Sequence, residues 1–186
     1  MRRTLGSLLV VTGMMLAPAL AAAQHNMGAP AHEIGVDLGV SYLKPSGLHS
    51  IFTIGTPVDA RLGFVMHSGW TLEPRVFILI QSAAGTAHDV ALDVNGLFPV
   101  GTGSNYRKGM YLTGGGGLEF LGGNLSGLPS VSGTVFELNG GLGTRVPYES
   151  GAIRLEANVK YRFQDTSIGV PNTFEIGGRI GLSLWH

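Results

Sequence analysis

The side chains best suited to acid–base or nucleophilic chemistry are six histidines, His25, His32, His49, His67, His88 and His186, together with scattered serines and carboxylates. No two histidines stand four residues apart, as a helical zinc motif needs, or two apart, as a shared strand face would need. His49-Ser50 and His67-Ser68 are adjacent in sequence, so in extended chain their side chains point to opposite faces and cannot form a nucleophile–base pair. The absence of cysteine removes disulfides and thiolate metal sites. Gly114 to Gly117 is a glycine run with no helix-forming segment after it, so the oriented N–H groups of a phosphate cradle are missing. Close packing, with neighbouring aromatics covering bare backbone, explains the run better; a lipid or partner groove is the alternative. The expectation is no catalytic set, no metal and no cofactor.

That leaves the charges, and strands are what would position them. From Ala152 to Gln164, Ile153, Leu155, Ala157, Val159, Tyr161 and Phe163 alternate with Arg154, Glu156, Asn158, Lys160, Arg162 and Gln164. A period of two gives an extended chain with one apolar and one charged face. The same alternation predicts strands at 33–43, 58–66, 70–81, 88–98, 109–121, 132–146 and 173–186, making eight in all. Residues 48–57 are ambiguous, with Ile51, Phe52 and Ile54 strand-like. Pro74 cannot donate a ladder hydrogen bond, so a bulge is expected there.

The first residues read as an export signal, 1–23. Arg2 and Arg3 precede an apolar run from Leu8 to Leu16, and Ala21-Ala22-Ala23 offers a cleavage site before Gln24. The segment is too short for a membrane helix, which needs roughly 20 apolar residues. Residues 24–32 look like a short periplasmic leader, and 33–186 like one domain. Without Arg2 and Arg3 the chain has about two more acids than bases, so there is no electrostatic case for nucleic acid. Thirty glycines and no helical periodicity favour an all-β fold.

The predicted strands, most of them about ten residues or longer, reach the roughly 9 to 11 residues of transmembrane strands, where about 5 to 6 is usual in globular proteins. Glu33, Asp37, Asp59, Glu73, Asp89, Asp93, Glu119, Glu137, Glu156 and Glu175 share one parity with Arg61, Arg75, Arg145, Arg154, Lys160, Arg162 and Arg179. In a membrane barrel that parity faces inward, where unpaired charge costs several kcal/mol. An ion-pair network is therefore expected from Glu73, Arg75, Glu137, Arg145, Arg154, Glu156, Lys160, Arg162, Glu175 and Arg179, for example Glu73 or Glu137 with Arg75, Arg145 or Arg179. Tyr42, Trp70, Phe98, Tyr106, Phe120, Tyr148, Phe163 and Phe174 gather toward strand ends, where membrane interfaces favour aromatics. A soluble lipocalin-like barrel binding an apolar ligand would show the same alternation turned inside out.

A signal peptide, eight alternating strands, a charged interior and a final strand GRIGLSLWH together resemble the small eight-stranded outer-membrane β-barrels, the group of the outer-membrane protein A transmembrane domain and its X relative. The resemblance implies an antiparallel, up-and-down transmembrane barrel in the cell outer membrane, surrounded by outer-membrane lipid and monomeric. It also implies periplasmic chaperones and the barrel-assembly machinery as partners, the latter reading Ile180, Leu182 and Leu184 with the terminal Trp185 and His186. Here histidine holds the last place and Trp185 lies on the opposite parity. Members of the group are scaffolds, adhesion or defence proteins or narrow pores, and a few modify lipid A. The chain stops at His186, so no peptidoglycan-binding domain is expected after the barrel.

Overall fold

The computed structural model describes residues 32–82, 85–125, 131–167 and 169–186. The segments expected to be an export signal and a leader, as far as Ala31 and with His25, lie outside the described residues, as do residues 83–84, 126–130 and 168. The regular elements are β1 (His32–Pro45), β2 (Ile51–Val65), β3 (Thr71–Ser82), β4 (Gly85–Pro99), β5 (Gly109–Leu125), β6 (Val131–Tyr148), β7 (Gly151–Arg162) and β8 (Thr173–Trp185). Each pairs antiparallel with the next in sequence, and β8 returns to β1, so the sheet is a closed barrel with no free edge. His32 and His186 seal the seam by exchanging backbone hydrogen bonds at 3.3 and 3.0 Å.

The ambiguous 48–57 stretch is resolved as β2 starting at Ile51, and the leader gives way to β1 at His32. The bulge expected at Pro74 does not form. Pro74 pairs with Val94 in unbroken register on β4, and on its other side the ladder to β2 simply has a gap between Arg75 and Leu72. A missing N–H needs only an unpaired position, not an extra residue. The register shifts instead between β1 and β2, where Asp37 faces Asp59 but Gly39 faces Gly55; this interval contains another proline, Pro57.

Parity decides the inside and outside. Ile34, Leu155 and Leu184 point outward at 53%, 45% and 55% exposure, while Glu33, Glu73 and Glu137 are fully buried in the interior. The soluble-barrel alternative put the apolar parity inside; the described strands have it outside. Stagger tilts the strands as closure requires: a row that starts at Glu33 and runs through Glu73, Asn95, Asn139, Lys160 and Glu175 returns to β1 at Leu43, ten residues on.

Many interior glycines are explained by space. Gly35 faces Arg61, Gly181 faces Asp37, Gly117 faces Asp93, Gly115 faces Asn95, and Gly143 faces Tyr111. A Cβ at any of these glycines would collide with the partner's side chain. The missing Cβ lets a long polar side chain lie flat across the neighbouring strand, in a lumen only wide enough for side chains to fill. Gly115 and Gly117 of the glycine run are such positions. Gly116 faces outward, where Leu138 and Phe136 come within 3.0 and 3.6 Å of a Cβ placed there.

Candidate functional site

The interior charges fall into two networks. The first occupies the end where β1 starts and β8 stops. Glu73 is its hub: it accepts from Arg75 Nε at 2.6 Å and from Arg154 Nη1 at 2.5 Å, with Arg61 Nη1 at 3.7 Å. Arg75 then grips both oxygens of Glu156, at 3.1 and 3.0 Å, in the bidentate geometry that makes guanidinium–carboxylate pairs strong. Arg61 donates to Asp37 at 2.9 Å, Glu33 at 2.6 Å and the Ser183 hydroxyl at 2.9 Å. Glu33 also receives Arg145 at 2.9 Å. The Tyr111 hydroxyl accepts from Arg154 at 3.0 Å and donates to Glu156 at 3.0 Å, so the ring ties β5 into the cluster. Arg179 joins through Glu156 at 3.9 Å and pairs with Asp59 at 3.1 Å.

This network is balanced. Glu33, Asp37, Asp59, Glu73 and Glu156 face Arg61, Arg75, Arg145, Arg154 and Arg179. Every carboxylate has at least one arginine within 4 Å, which offsets the desolvation of so many charges.

The second network lies toward the far end of the barrel. Lys160 meets Glu137 at 2.6 Å and Asp93 at 3.8 Å. Arg162 contacts Glu119, Glu137 at 3.7 Å and Glu175 at 3.0 Å. Asp89 lies against Glu119, and Asp93 against Glu137. Among the described residues, Asp89, Asp93, Glu119, Glu137 and Glu175 outnumber the bases paired with them, Lys160 and Arg162, by a formal three. A cavity of about 50 Å³ between the networks is lined in part by Asp59, Phe77, Asn158, Glu175 and Arg179.

Of the ten residues that the sequence singled out for the lumen, Glu73, Arg75, Arg145, Arg154, Glu156 and Arg179 lie in the first network and Glu137, Lys160, Arg162 and Glu175 in the second. Glu73 does meet Arg75. Arg145 goes to Glu33, Arg179 to Asp59 and Glu156, and Glu137 to Lys160 and Arg162. Glu33, Asp37 and Arg61 are as central as any residue named in advance, and only their parity pointed to them. Tyr111 and Ser183 carried no charge to mark them, though they share the inward parity of Glu119 and Arg179.

Ile180, Leu182 and Leu184 face outward, as the alternation of the last strand requires. Trp185 instead lies opposite Glu33 on the inward side. There Arg145 sits 6.0 Å from its ring, and Tyr106 of the β4–β5 turn packs edge-on at 5.9 Å. Its departure from the outward parity is thus a packing role at the mouth of the barrel.

His49, His67 and His186 are exposed at the barrel ends, and His32 stacks edge-on against Phe64. Among the described side chains no histidine is hydrogen-bonded to a serine or an acid, and among the described residues no three acids or histidines are grouped so as to hold a metal ion. On the outer wall, Leu38, Val40, Leu142, Leu155 and Ile180 surround a shallow apolar depression of about 1030 Å³ floored by Ala157 and Gly178.

Solved structures share this arrangement. Neisserial surface protein A superposes with a TM-score of 0.55 at 13% identity, over 86% of this chain and 100% of that one. Ail, the attachment invasion locus protein of Yersinia pestis, gives a TM-score of 0.52 at 14% identity, over 82% of this chain and 97% of its own. The chain has the fold of the small eight-stranded outer-membrane barrels. No family model and no curated sequence matches it. At this identity the likeness carries the fold alone, and the ion-pair partnerships belong to this chain.

Proposed function

We propose that this chain is a non-enzymatic integral protein of the bacterial outer membrane, a scaffold whose lumen is plugged by its own ion pairs. The observation that carries the proposal is the inverted distribution of polarity. A wall of apolar side chains, mostly leucine, isoleucine and valine with Phe52 on β2, faces outward while buried carboxylates and guanidinium groups fill the inside, which suits lipid outside and not water. The even strand number puts both ends of the barrel chain on one side, the periplasm. The connections at 66–70, 100–108 and 149–150 share that side, and those at 46–50 and 163–172 face the exterior. Periplasmic chaperones deliver the chain and the barrel-assembly machinery reads Ile180, Leu182 and Leu184 with the terminal Trp185 and His186. The folded barrel is a monomer surrounded by lipid.

The test is to fractionate expressing cells and run the membrane fraction on a gel with and without boiling. A heat-dependent mobility shift in the outer-membrane fraction supports the proposal. Soluble periplasmic protein with no shift overturns it. In planar bilayers the parent barrel is expected to show little conductance, because the first network closes the lumen at the periplasmic end.

A further inference from the structure

The two networks differ in what they leave unanswered. At the periplasmic end the count of charges closes, and the buried atoms without a hydrogen-bond partner include the donors Nε and Nη1 of Arg145. Farther along the lumen most of the counterpart atoms are acceptors, with Arg162 Nε a donor among them; two of the acceptors are Asn158 Oδ1 and the Oδ1 of Asp59, whose other oxygen pairs with Arg179 of the first network. Asp59 and Asn158 are 4% and 6% exposed, and both line the cavity of about 50 Å³ between the networks. That volume is several times the ~15 Å³ that one water needs. Glu175 lines the same cavity, together with Arg179, and belongs to the acidic network, whose five carboxyl groups pair among the described residues with Lys160 and Arg162. Adjacent buried carboxylates with too few bases either share protons or draw positive charge from elsewhere.

We infer that the outer half of the lumen is a chamber for small monovalent cations, seated beside Asp59 Oδ1 and Asn158 Oδ1 and closed below by the arginine network. The inference rests on the proposed membrane placement, which makes the exterior the side from which ions enter. The described acids do not form a metal-holding group. Selection is therefore by charge and size, with alkali ions admitted and bulky organic cations excluded. Water alone would satisfy the acceptor atoms but, unlike a cation or a proton, would not offset the formal excess of acids.

The test uses the whole barrel refolded in uncharged detergent, with urea-unfolding midpoints measured at one pH and one ionic strength in potassium chloride and in N-methyl-D-glucamine chloride. The parent is expected to unfold at higher urea in potassium, with a midpoint that rises with the logarithm of its concentration. Glu119→Gln removes one surplus charge, so it should raise the midpoint in N-methyl-D-glucamine and shrink the difference between the salts. Asn158→Leu should shrink the difference by removing a seat oxygen. A heat-modifiable barrel with equal midpoints in the two salts overturns the cation chamber and leaves the membrane reading standing; protons would then be the compensating charge. Loss of stability in Glu119→Gln in both salts also overturns it. A chain recovered as soluble protein overturns both readings.

Discussion

Glu73→Gln removes the charge on which the first network converges while keeping the shape of the side chain. Glu73 is fully buried and has Arg75, Arg154 and Arg61 within 4 Å, and no other carboxylate can move to take its place because each already serves its own arginine. The substitution leaves five guanidinium groups facing four carboxylates. Removing one partner of a buried pair costs about 3–5 kcal/mol. At ~1.4 kcal/mol for each factor of ten, that is between about two and nearly four decades in the folded ratio. Against a typical total of about 5–15 kcal/mol the loss is severe but measurable. The assay is reversible urea unfolding of the barrel in detergent, read by heat-modifiable gel mobility and tryptophan fluorescence. Combining Glu73→Gln with Arg154→Met restores the count and should recover roughly 0.5–3 kcal/mol relative to the sum of the singles. A single variant within ~0.5 kcal/mol of the parent, or a double variant as poor as the two losses added, would refute the claim that balance holds this network together.

Leu155→Arg places a charge on the outward wall and is expected to destabilise insertion by ~2–4 kcal/mol if that position lies near mid-membrane; normal recovery of the variant in the outer membrane would contradict the lipid-facing assignment. Tyr111→Phe deletes a hydroxyl that joins Arg154 to Glu156 and should lower stability by about 1–3 kcal/mol, measured by the same urea titration. Gly181→Ala drives a methyl group into the Asp37 carboxylate, whereas at outward Gly178 the nearest atoms stand 3.9 Å away. The first should cost ~1–3 kcal/mol and the second should stay within ~0.5 kcal/mol of the parent; equal midpoints for the two would remove the argument from interior space.

Alternation made the fold legible. Along β7 each outward Leu155 or Val159 is flanked by an inward Glu156, Asn158 or Lys160, and a single strand of this kind already separates the two faces. The upper part of β2 was obscure because Gly55, Thr56 and Pro57 carry little hydrophobic signal, and pairing with β1 is what makes that segment extended. The ion-pair partners were not legible for a geometric reason. Arg145 and Glu33 are 112 positions apart in sequence and meet across the lumen, at a depth set by the stagger of eight strands together. Trp185 was visible as a residue of the wrong parity, but the Tyr106 and Arg145 that account for it arrive from a turn and a strand distant in sequence.

The glycines that face large polar residues have a consequence for assembly. A strand that slips by one residue turns its apolar side to the lumen and is rejected by the membrane, but a slip of two residues leaves the alternation intact, so hydrophobicity cannot detect it. The glycine–polar pairs can. Asp93 lies opposite Gly117, and moving β5 by two residues in one direction would set Asp93 against Glu119, carboxylate to carboxylate. Placed among the strands in this way, the glycines act as a second code for pairing, written in volume and charge, that corrects the errors the first code lets through.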